Sequence, residues 1–123
     1  MIILLIYLAS LFGGGAVESL VIDITKPVKT VVQDQARVKQ ILAINAEMLK
    51  AEAALQKEFK AAKKTLAELN GNRMTSEAEI VAVFAAFDLK RAEARAKIVE
   101  NRSKMMALMS AEEWRNVYAT ATK

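Results

Sequence analysis

Residues 31–69, VVQDQARVKQILAINAEMLKAEAALQKEFKAAKKTLAEL, decide the fold. Alanine, glutamate, lysine and leucine dominate the stretch, the mixture of a long helix. A heptad frame begun at Val31 sorts its apolar residues. The first positions are Val31, Val38, Asn45, Glu52, Phe59 and Leu66, and the fourth positions are Asp34, Ile41, Met48, Leu55, Ala62 and Leu69. Only Asp34, Asn45 and Glu52 interrupt the stripe. Pro27 suits a first helical turn, where its missing N–H costs little. The spacing predicts one helix over 28–69.

Downstream, Asn70-Gly71-Asn72-Arg73 breaks the pattern. Ser76 and Glu79 then form a Ser-x-x-Glu capping box, in which hydroxyl and carboxylate each accept from an otherwise orphaned backbone N–H. A second apolar stripe follows through Ile80, Phe84, Phe87, Ala94, Ile98, Met105 and Leu108, interrupted only by Arg91 and Asn101. It predicts a helix over 76–108. Ser110 and Glu113 repeat the box and open a short helix over 110–120 that carries Trp114, Val117 and Tyr118. Two long helices joined by a short turn make an antiparallel hairpin. At 1.5 Å per residue each arm runs about 50–60 Å.

Folding the chain about Arg73 sets Phe59 opposite Phe87 and Asn45 opposite Asn101, and brings Glu52 within a turn of Arg91 and Arg95. The polar residues Asn45, Glu52, Arg91 and Asn101 thus meet across the seam, where such contacts fix register at some cost in stability. Val28, Val32, Leu42 and Leu49 on one arm, and Val81, Val83, Leu89 and Val99 on the other, widen the apolar surface beyond the seam. A bundle helix needs such width. The expected fold is therefore all-α, with a homodimer packing hairpin on hairpin into a four-helix arrangement.

Residues 1–17, MIILLIYLASLFGGGAV, carry no charge, and all 18 basic and 14 acidic residues follow them. Ile2 to Phe12 has the length of a signal-peptide core, and Gly14-Gly15-Ala16 offers small residues for cleavage, although no basic residue precedes it. Read as a span, Ile2 to Val17 covers about 24 Å, short of a hydrocarbon core of about 30 Å. An N-terminal apolar helix over 1–22, either a cleaved signal or a retained membrane anchor, is expected. A junction at 23–27 and a helical domain over 28–123 follow. Lys26, Lys29, Arg37 and Lys39 beyond the segment would favour a cytoplasmic body by the positive-inside rule. The short apolar core and small-residue boundary favour export to the periplasmic side of an inner membrane.

Cysteine and histidine are absent. Disulfides and thiol chemistry are thereby excluded, as are the commonest metal ligand and the usual general base near neutral pH. Glu112 and Glu113 fall in a first helical turn, where the macrodipole favours them, and no nucleophile accompanies them. No glycine-rich phosphate loop precedes a basic helix start. The basic run near Arg91–Lys104 is interrupted by Glu93 and Glu100 and lacks aromatics, against nucleic-acid binding. Met105, Met106 and Met109 could hold Cu(I) through thioethers, but core filling is the commoner use of methionine. Neither an enzyme nor a bound cofactor is expected.

Met109-Ser110-Ala111-Glu112-Glu113, between a long helix and a short one, resembles the L-T-x-x-Q motif of the Spy/CpxP family of periplasmic chaperones and of related heavy-metal sensors. Met74-Thr75-Ser76-Glu77 is a looser copy. Met stands for Leu in both, Ser110 and Glu113 for Thr and Gln in one, and Ala78 for Gln in the other. No histidines match those of the metal-sensing branch, so metal sensing is not implied. The resemblance, over roughly residues 28–120, implies a small dimeric envelope protein that binds unfolded clients without ATP on a basic, partly apolar face. Lys57, Lys60 and Lys64 near Phe59, with Lys90, Arg91 and Arg95 across the hairpin, are the candidates for that face. Such a face gives fast, salt-sensitive capture of anionic partners. The alternative is a membrane-tethered coiled-coil spacer within an envelope complex.

Overall fold

The computed structural model describes residues 20–122. The expected segment over 1–22 lies, up to residue 19, outside the described residues. Four helices follow: α1 Thr25–Val31, α2 Gln35–Asn70, α3 Glu77–Leu108 and α4 Ala111–Ala121. No strand occurs among the described residues. Helices α2 and α3 pack together along their length as the hairpin, while α1 packs on α4 and on α2.

The helix expected over 28–69 is two helices. Val32 and Asp34 are extended, with ψ of 120° and 113°. Asp34 accepts from the N–H groups of Ala36 at 2.9 Å and Arg37 at 3.4 Å, starting α2 afresh. A short polar side chain does this more readily than it sits in an apolar seam. The seam accordingly begins at Val38. Its loss frees α1 to fold back, and the junction expected at 23–27 is helical from Thr25 onward. Asp23 accepts from the N–H and hydroxyl of Thr25 at 3.0 and 2.6 Å. These bonds hold its carboxyl below the usual range.

The hairpin turn closes without left-handed backbone. Gly71 has φ −72°, and Asn72 organises the turn instead, accepting from the N–H of Met74 at 2.9 Å through its side chain. Thr75 N–H bonds the Asn72 carbonyl at 3.0 Å.

Burial is uneven along the hairpin. At the open end Ile24, Val28, Ile41, Ile98, Met105 and Val117 are fully buried, so all four helices contribute to one core. Further along, among the described residues α2 and α3 supply the buried Leu55, Phe84 and Phe87. Phe59 and Phe87 meet there with ring centroids 5.7 Å apart and planes inclined by 55°. Toward the turn, Leu66, Leu69 and Ile80 are only half-buried. No helix among the described residues is long and apolar enough to cross a membrane.

Candidate functional site

Two regions carry polar groups that a packed hairpin does not itself require. One is the base, where α4 is fastened to α2. Ser110 and Glu113 form a capping box: the hydroxyl accepts from Glu113 N–H at 3.1 Å, and the carboxylate accepts from Ser110 N–H at 2.9 Å. The same carboxylate takes both arms of the Arg37 guanidinium, at 2.8 and 3.1 Å. Arg37 also donates to the Leu108 carbonyl at 2.9 Å, filling an acceptor orphaned at the end of α3. Arg37, followed by the Ser110 N–H, holds the Glu113 carboxyl down to about 2. Glu113 in turn raises the Arg37 pKa. The box at Ser76 and Glu79 forms equally well, at 2.9 and 3.2 Å, but on an exposed helix start.

The seam asparagines do different jobs from the one expected. Both are buried, Asn45 at 2% exposure and Asn101 at 3%. Asn45, however, grips the incoming main chain: its Oδ1 accepts from Ile24 N–H at 3.3 Å, and its Nδ2 donates to the Ile22 carbonyl at 2.8 Å. Asn101 Nδ2 has no hydrogen-bond partner among the described residues. Asn45 and Asn101 are both buried as the register places them, and the hydrogen bonds of Asn45 form a clamp on residues 22–24. Glu52 and Arg91 are half-buried, and Arg91 pairs with Asp88 on its own helix at 3.4 Å.

The second region is the arm. Lys57, Lys60, Lys64, Lys90 and Arg95 are all exposed, yet helical geometry divides them among separate faces. Phe59 points into the seam against Phe87, and Lys63, not Lys60 or Lys64, lies over its ring at 5.5 Å. Lys90 lines a shallow groove of about 380 Å³ together with Glu58, Ala61, Ala62, Ala82, Ala86 and Phe87. Lys57, Lys60 and Lys64 stand on the outward side of α2. There they continue a row that includes Lys39 and Lys50, all exposed. Among the described residues no carboxylate pairs with any of these five lysines. Alternating spacings of four and three residues, with alanines between, would have revealed the longer row.

The methionine cluster does not converge. Met105 and Met109 are buried in the core, while Met106 is half exposed and its sulfur accepts from Arg102 at 3.2 Å. Arg102 also covers the Trp114 ring at 5.1 Å. No group of three acidic side chains among the described residues could hold a metal ion. No protein family, curated protein or solved structure matches this chain.

Proposed function

We propose that this chain is a non-enzymatic binding protein of the cell envelope. In this reading it works on the periplasmic side of the inner membrane, anchored there or released by cleavage after Ala16. Its helical hairpin engages other proteins, in the manner of a chaperone or a stress-sensor accessory, and two hairpins associate as a homodimer. The observation that carries the reading is the lysine row on the outward side of α2. Five exposed lysines without acidic partners present positive charge along about 38 Å of helix. Their long stems cover apolar surface while the ammonium groups stay in water. The groove beside Lys90 adds a narrow apolar surface nearby.

The test is suppression of aggregation of an acidic, chemically unfolded client by the full chain in detergent micelles. Suppression should be strong at low salt, fade as ionic strength rises, and vanish when Lys57, Lys60 and Lys64 are replaced by glutamate. No suppression at low salt, or suppression indifferent to those replacements, refutes the reading. Recovery from native membranes with one stoichiometric partner would instead support the structural-subunit alternative.

A further inference from the structure

The outward sides of α2 and α3 occupy equivalent heptad positions and differ completely. On α2 this side is the lysine row. On α3 the positions from Ala78 to Met106, again at spacings of four and three, hold no charge at all. Leu89, Val99 and Met106 stand 62%, 47% and 49% exposed there, separated by alanines and one serine. Of the large apolar side chains exposed in the described residues, only Leu20 and Met74 lie elsewhere. The face runs about 42 Å, so α3 is apolar on two nearly opposite sides, and among the described residues only the seam side is covered.

We infer that this second face of α3 packs antiparallel against the same face of a second copy, with the two-fold axis beside Ala92. The inference rests on the dimeric part of the proposed function and supplies its interface. Two features of the face select a copy of itself. The first is steric. An axis at Ala92 sets Val99 opposite Ala85 of the second copy, Met106 opposite Ala78, and Leu89 beside Ala96. Each large side chain then meets a small one, twice over by symmetry, as an isologous interface requires. The second is charge. On one flank Asp88 falls within one residue's rise of Arg95 of the second copy, giving two symmetric ion pairs that the reversed, parallel arrangement would not form. On the other flank Glu93 meets its own copy near the axis. That like-charge contact is the unfavourable element of the interface.

The full chain in detergent micelles tests this, and its lack of cysteine makes single thiols unambiguous. Alanine-lined helices approach to about 8 Å between axes, which brings Cα atoms beside the axis into disulfide range. Ala92→Cys should oxidise to a covalent dimer, whereas Ala53→Cys, on the outward side of α2, should not. Ala85→Glu should leave helical content intact by circular dichroism and abolish the dimer in sedimentation. Glu93→Gln should tighten it several-fold, the effect expected from removing a like-charge pair. A dimer that persists in Ala85→Glu, or that cross-links at Ala53 rather than Ala92, overturns the interface while leaving a dimer in place. A monomeric parent chain overturns both.

Discussion

The capping boxes at Ser76 and Ser110 have the same local geometry and very different surroundings. Each joins a serine hydroxyl to the N–H of a glutamate three residues on, and each glutamate returns the bond. At Ser76 the motif starts a helix on the exposed tip, with Met74 85% exposed beside it. At Ser110 it is flanked by buried Met109, and its glutamate is also the acceptor for an arginine 76 residues away. A four-residue motif sets how a helix begins. Its neighbours decide whether that beginning also holds the tertiary structure.

The contrast between base and tip can be broken most forcefully in the core. Ile98→Ala, at a fully buried site shared by several helices, should cost about 2–5 kcal/mol in denaturant unfolding. Leu66→Ala, half-buried near the tip, should cost markedly less. Equal losses would mean that the arm is as tightly packed as the base. Next in size is Asn101→Leu. Removing a buried donor that has no partner should raise stability by about 1–3 kcal/mol, readable in the same experiment. A loss would show that Asn101 has a satisfying contact.

The Glu113 carboxyl is a finer probe. Its folded pKa of about 2 lies below the ordinary glutamate value of about 4.3. Its contribution is therefore complete above the ordinary value and is lost as pH falls from there through the folded value. Arg37→Met should flatten this acid limb in thermal melts recorded between pH 5 and pH 2, and should lower Tm at neutral pH more than Ser76→Ala does. The smallest effect is expected at the turn. Gly71 has an ordinary helical φ, and an added Cβ would meet only the carbonyl oxygens of Ala67 and Glu68 at 3.5 and 3.6 Å. Gly71→Ala should thus raise stability by about 0.4–1 kcal/mol.

The hairpin and its caps were legible because they depend on residues close in sequence. Periodicity places Ile41, Met48, Phe84, Phe87 and Ile98 inward, and Ser-x-x-Glu places two helix starts. Asp34 was misread because a heptad frame accepts an interruption anywhere, whereas the run Gln33-Asp34-Gln35 marks a new start. Arg37 gave no signal: its partners are a carboxylate and a carbonyl at the far end of the chain. Asn45 stood out as an interruption of the stripe, but its partner did not, because it recognises main chain, which has no letter in the sequence. The lysines were found as a cluster near Phe59. Their grouping with Lys90 and Arg95 was not legible, because spacing along one helix says little about which flank of a hairpin a residue on the other helix occupies.

Asn45 has a mechanical consequence. A single side chain grips the carbonyl of Ile22 and the N–H of Ile24, just where the main chain enters the packed base. Tension applied upstream of Leu20 loads these two bonds before it reaches the turns of α1. The clamp sits on the longest helix, so the load passes into α2. The amide therefore serves as strain relief for the chain's entry, protecting the small helix that would unravel first under traction.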